Sequence, residues 1–118
     1  EPPAAKPVVQ KARSEYGLTL QELTPELARK HELKETQGAL VTAVEKGSQA
    51  EQDGIRAGDL IRELGLRRPG EEPSLLRFPI RNLDDFAGAF RKVRKGKNLL
   101  VLILRKRRAF YMVLHSPK

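Results

Sequence analysis

The sequence predicts an α+β fold: a small antiparallel, barrel-like sheet of five to six strands carrying two to three helices. Three observations predict it. Short apolar runs recur at 39–44, 60–64, 99–104 and 109–114, a length that suits strands better than helices. Two segments, 25–33 and 82–93, carry helix-start residues and apolar positions at helical spacing. Glycines and prolines punctuate the chain between these segments.

The elements follow in order. Residues 1–14 hold Pro2, Pro3 and Pro7 among Ala, Lys and Val, which is the composition of an extended linker. The folded domain is therefore expected over 15–118, starting near Glu15. Leu18, Leu20 and Leu23 predict a short strand running into a turn. Thr24 can accept from the orphan N–H groups of a following helix, and Pro25 stands where its missing donor costs nothing. That helix is expected from Pro25 to Leu33, burying Leu27 and Ala28. Gly38 reopens an extended chain, and Ala39 to Val44 reads as a mostly buried strand. Ser48 with Glu51 three residues on forms a capping box for a short helix, which Gly54 stops. Gly58-Asp59 then turns the chain into a strand from Leu60 to Leu64.

Residues 65–81, with Pro69, Gly70, Pro73 and Pro79, read as irregular. Leu75, Leu76 and Phe78 within them need apolar cover from the sheet, from an extended groove or from a neighbouring domain. Asn82 caps the next helix, and Asp84 and Asp85 suit its positive end. Leu83, Phe86, Phe90 and Val93 recur on one face, while Arg91, Lys92, Arg94 and Lys95 crowd the last turns, where cations are stabilised. Leu99 to Leu104 is a solid apolar strand, Arg105 to Arg108 a basic hairpin connection, and Ala109 to Leu114 the last strand. The chain contains no internal repeat.

At 118 residues the chain suffices for one modest core. With 39% hydrophobic and 5% aromatic residues and no Trp, that core is built from Leu, Val, Ile and Ala. A formal net charge of +8, from 23 basic and 15 acidic residues, favours anionic partners or simply a solvated basic surface. The basic clusters at 91–97 and 105–108 lack interleaved aromatics and a recognition-helix pattern, so they read as helix-end and hairpin solvation, and no nucleic-acid partner is expected. Without cysteine there is neither a disulfide framework nor thiolate chemistry. No apolar run approaches the ~18 residues of a membrane-spanning helix. His31 and His115 lie far apart with no ligand spacing around them, so neither metal nor cofactor is expected. Ser14, Ser48, Ser74 and Ser116 stand in neither a G-x-S-x-G elbow nor a Gly-rich serine loop, so no catalytic residue is assigned. The chain starts without Met or a leader and reads as a piece of something longer.

Two stretches carry a family resemblance. Gly47-Ser48, Ala50-Glu51, Gly54-Ile55 and Gly58-Asp59-Leu60-Ile61 follow the G-S-x-A-E-x-x-G-I-x-x-G-D-x-I segment of PDZ domains almost position for position. Tyr16-Gly17-Leu18-Thr19-Leu20-Gln21-Glu22-Leu23-Thr24-Pro25-Glu26-Leu27-Ala28 resembles the opening of the circularly permuted bacterial PDZ type attached to HtrA/Deg serine proteases. The closing hairpin is similar to the end of a second, C-terminal PDZ, and the resemblance covers residues 15–115.

The resemblance implies a non-catalytic peptide-binding module of a periplasmic, homo-oligomeric, trypsin-like endopeptidase engaged in protein quality control. Its partners would be apolar C-termini or extended segments of misfolded proteins, together with neighbouring protease and PDZ domains. It places a carboxylate-binding loop on Glu15, Tyr16, Gly17 and Leu18, and a peptide-pairing strand on Leu18, Thr19 and Leu20. The opposite wall falls on the helix at 82–93, with Leu83, Ala87, Phe90 and Arg91 toward the groove and Phe86 and Val93 toward the core. Two residues depart from the pattern: Leu83 replaces a frequent His, and Tyr16 takes a usually aliphatic place. The alternatives are a structural PDZ with a closed groove that docks an oligomer or a neighbouring domain, and a PDZ from a membrane-embedded or tail-specific protease.

Overall fold

A computed structural model of the protein describes residues 16–34, 37–67, 75–93 and 98–115. The expected linker at 1–14 and Glu15 lie outside them. The strands are β1 (Leu18–Glu22), β2 (Ala39–Val44), β3 (Leu60–Arg67), β4 (Leu75–Pro79), β5 (Leu99–Arg105) and β6 (Arg108–Leu114). The helices are α1 (Pro25–Lys30), α2 (Gln49–Asp53) and α3 (Leu83–Val93).

All six strands join one antiparallel sheet in the order β1-β2-β3-β5-β6, with β4 added to β3. The sheet stays open rather than closing into a barrel: β1 and β6 are its two ends, and no ladder joins them among the described residues. β3 is long enough to serve three neighbours. Its start, Leu60 and Ile61, pairs with β2, its second half pairs with β4, and its other edge pairs with β5 from Leu60 to Gly65.

The strand β4 corrects the expectation that 65–81 is irregular. β3 runs on to Arg67, and Leu75–Pro79 pairs back along it from Arg67↔Leu75 to Glu63↔Pro79. Proline reads as a breaker, but Pro79 is the last residue of a strand with a single partner, where a missing N–H costs no ladder bond. Phe78 packs against the main core, and the Lys92 ammonium sits 5.4 Å from its ring centroid.

Each helix starts where its cap residue permits. Thr24 Oγ1 accepts from Leu27 N–H, Ser48 Oγ accepts from Glu51 N–H while Glu51 Oε1 accepts from Gly47 N–H, and Asn82 Oδ1 accepts from Asp85 N–H. α1 ends at Lys30, short of the expected Leu33, because Glu32 turns left-handed at φ 59° and Leu33 N–H returns to Ala28 C=O.

The main core lies between the sheet and α3 and gathers Leu18, Val41, Ile61, Leu64, Phe86, Val101 and Ile103. A smaller cluster, Leu23, Ala28, Leu33, Leu40 and Leu60, sits under α1. Between the halves of the chain lies an ion pair between a buried carboxylate and a half-buried guanidinium. Asp59, 1% exposed, accepts from Arg105 Nε at 2.7 Å and Nη2 at 2.8 Å, and from Arg56 N–H at 2.9 Å. Arg105 also donates to Gly54 C=O and covers the Phe110 ring. The pair pins the Gly58-Asp59 turn to the β5–β6 hairpin and leaves neither charge bare.

Candidate functional site

β1 is an end strand with α3 packed beside it, so one of its edges faces no other strand among the described residues. The orientation of that edge follows from the ladder. Glu45 N–H donates to Gly17 C=O, and Thr42 Oγ1 donates to Thr19 C=O, so the odd-numbered residues present their backbone groups to β2. Backbone groups alternate along a strand, and the register shift between Thr19 and Leu20 leaves the extra residue, Thr42, in β2. Leu18, Leu20 and Glu22 therefore turn their N–H and C=O groups outward.

Gly17 makes the entry to this strand. Its φ is +82°, and a Cβ there would stand 2.3 Å from Ser48 Cβ and 2.6 Å from Ser48 Oγ. Only glycine allows both the backbone angle and this close approach to the α2 cap.

The structure brings most of the sequence-predicted site residues together. Tyr16, Leu18, Leu20, Ala87 and Phe90 belong to one buried cluster, with Leu83 packed against it. The rings of Tyr16 and Phe90 meet edge to face at a centroid distance of 5.9 Å, and Phe90 stacks on Phe86 at 5.3 Å. Phe90 and Ala87, expected toward the groove, are as deeply buried as Phe86, expected toward the core: 1%, 2% and 1% exposed. The apolar floor between β1 and α3 is thus filled by the domain's own side chains, Tyr16 foremost. Thr19 is half-buried on the other face of β1, and Arg91 is exposed in the last turns of α3. Glu15 lies outside the described residues.

Sequence reasoning missed Glu22. Its Oε1 accepts from Leu83 N–H at 2.7 Å, tying the end of β1 to the start of α3. Leu83 N–H is one of the orphan donors of a helix start, and a carboxylate is the acceptor that such an end favours. The bond spans 61 residues of sequence, so no local pattern signals it.

The PDZ family model, "PDZ domain", matches residues 6–67. The chain belongs to the PDZ family. The PDZ domain also matches two proteins named "Probable periplasmic serine endoprotease DegP-like". It is 48% identical over 52 residues to that of Chlamydia trachomatis serovar D and 46% identical over 52 residues to that of Chlamydia muridarum. Each match takes in 44% of this chain and 10% of the relative, so the chain spans about a tenth of the length of these relatives.

Among solved structures it resembles the HtrA3 PDZ domain bound to a phage-derived ligand, with a TM-score of 0.58 and 19% identity over 83% of this chain and 79% of that one. The HtrA-type protease AlgW with a decapeptide gives a TM-score of 0.59 and 21% identity over 97% of this chain and 34% of that one. These likenesses bear out the expected fold, with the sheet open instead of barrel-like. The domain is a PDZ and not a catalytic protease domain.

Among the described residues no group of three or more His, Cys, Asp or Glu is placed to hold a metal ion, and no helix is long and apolar enough to cross a membrane.

Proposed function

We propose that this PDZ domain, taken as residues 15–118, receives an extended peptide as an added antiparallel strand along β1, as a recognition module of an HtrA/Deg-type serine endoprotease of the bacterial periplasm. One observation carries the reading: β1 is an end strand whose outward backbone groups at Leu18, Leu20 and Glu22 lie beside α3, with the Gly17 turn at its start. Main-chain bonds supply affinity in this mode and flanking pockets supply specificity. The loop at Glu15, Tyr16, Gly17 and Leu18 takes the terminal carboxylate, and Leu83, Ala87, Phe90 and Arg91 form the facing wall. Two resemblances support the assignment: the DegP-like relatives named as periplasmic, and the HtrA3 and AlgW structures that hold peptides. The parent chain would be the protease, oligomeric and engaged in quality control, with this domain handing it unfolded or misfolded chains. Affinity is on the order of micromolar, since a single short added strand buries little area.

The filled floor favours a second reading in which the groove stays shut and the domain docks a neighbouring domain or subunit. Backbone amide NMR separates the two. An apolar-ended peptide with a free carboxylate is titrated beside its amidated form. Shifts at Tyr16, Gly17, Leu18 and Phe90 that vanish on amidation support the first reading. Silence at those amides with both peptides at millimolar concentration refutes it and leaves the docking reading.

A further inference from the structure

The groove reading gives Glu22 a role that follows from its position. A ligand strand entering from Gly17 and running antiparallel to β1 sets its last residue beside Leu18. The residue two before it then lies beside Leu20, and the residue four before it beside Glu22. The side chains of Leu18, Leu20 and Glu22 all leave β1 on the face that α3 covers, since side chains alternate along a strand. Leu18 and Leu20 are buried there, and Glu22 reaches across to Leu83 N–H at 2.7 Å. The carboxylate therefore joins strand and helix at the end far from Gly17. Helix α3 has 11 residues, and its first N–H is the group held.

We propose that Glu22 is a bar across the end of the proposed groove far from Gly17 and limits how many terminal residues of a bound chain are read. A chain of four residues ends short of the bar. A longer one pairs with the rest of β1 only if Glu22 releases Leu83, which strips that N–H of its acceptor and the carboxylate of the helix end that stabilises it. Residues upstream of the fourth consequently add nothing to affinity in the wild-type domain. The bar is a specificity determinant by length, and it rests on the peptide-groove reading above.

The test uses two fluorescent probes, a tetrapeptide ending in Val with a free carboxylate and the same peptide with three alanines added at its N-terminus. Both are titrated by anisotropy against wild type, Glu22→Ala and Glu22→Gln. The wild type should bind the two within about twofold of each other, whereas Glu22→Ala should bind the longer peptide about tenfold more tightly, the gain of one or two added main-chain bonds. The readout is the ratio of long-peptide to tetrapeptide affinity within each protein, so no variant has to serve as an unchanged reference. Glu22→Gln keeps an oxygen for Leu83 N–H, so it should behave as wild type, which guards against a folding artefact in the alanine variant. If the longer peptide gains equally in wild type and Glu22→Ala, the groove reading stands and the bar is refuted. If neither peptide binds any of the three proteins, the groove reading falls and takes the bar with it.

Discussion

Gly17→Ala is the sharpest probe of how the site is held. Two costs arise there. At φ +82° an L side chain is strained by roughly 1–2 kcal/mol. The new methyl would also stand 2.3 Å from Ser48 Cβ, which lies next to the backbone and cannot swing aside as a flexible tip would. Relieving that overlap means moving β1 or the start of α2, at the overpacking cost of about 1–3 kcal/mol. The sum is about 2–5 kcal/mol, a large share of the stability of a small domain.

Gly47→Ala separates the two terms. Gly47 has nearly the same φ, +80°, but a Cβ there meets nothing within 4 Å, so this variant reports the backbone strain alone. Urea unfolding followed by circular dichroism gives both values from the shift in midpoint at constant slope. Gly17→Ala should be the more destabilised by at least about 1 kcal/mol. Equal losses, within about 0.5 kcal/mol, would refute the claim that close approach to Ser48 is what requires glycine.

Three further outcomes are expected. Arg105→Met removes the half-buried guanidinium that pairs with Asp59 and leaves a carboxylate 1% exposed without its cation, so chemical unfolding should show a loss of about 1–3 kcal/mol, partly recovered in the double variant with Asp59→Leu. Asp53 is pushed up by partial burial but held below its ordinary value overall, because the His115 N–H and Nδ1 and the Gln49 amide bond its carboxylate. A depressed carboxyl contributes stability in full above its unfolded value, near pH 4, and loses it as pH falls through the folded one. The acid limb of stability against pH should therefore flatten in Asp53→Asn. Gly88→Ala fills a position in α3 where a Cβ meets nothing within 4 Å, and thermal melting should show a gain of about 0.5–1 kcal/mol.

What the sequence made legible was local. Ser48 with Glu51 and Thr24 with Pro25 announced two helix starts, and the strand Ala39–Val44 appears with the bounds its apolar run suggested. Strand β4 escaped because it ends in a proline and follows a stretch whose prolines and glycines read as a loop, and only its pairing with β3 shows that Pro79 sits where no donor is needed. The site was half legible. Tyr16, Leu18, Leu20, Ala87 and Phe90 do converge, as the resemblance implied, but hydrophobicity looks the same whether a side chain lines a cleft or fills it. The Tyr16–Phe90 contact, which packs them on one another, joins residues 74 positions apart. Glu22 with Leu83 and Asp59 with Arg105 went unseen for the same reason: their partners are brought together by the sheet, and neither spacing has a periodicity to detect.

The Asp59–Arg105 pair bears on where this domain can be cut. The family match stops at residue 67, yet Asp59 lies inside that boundary and its only cationic partner among the described residues lies 46 residues further on. A fragment ending at 67 would keep the whole of the family match and still strand β3 without β4 or β5, omit α3, and leave an aspartate without its cation. The end of the family match is thus not a limit of folding, and any shortened form for expression or for transplanting onto another protease must extend through β6.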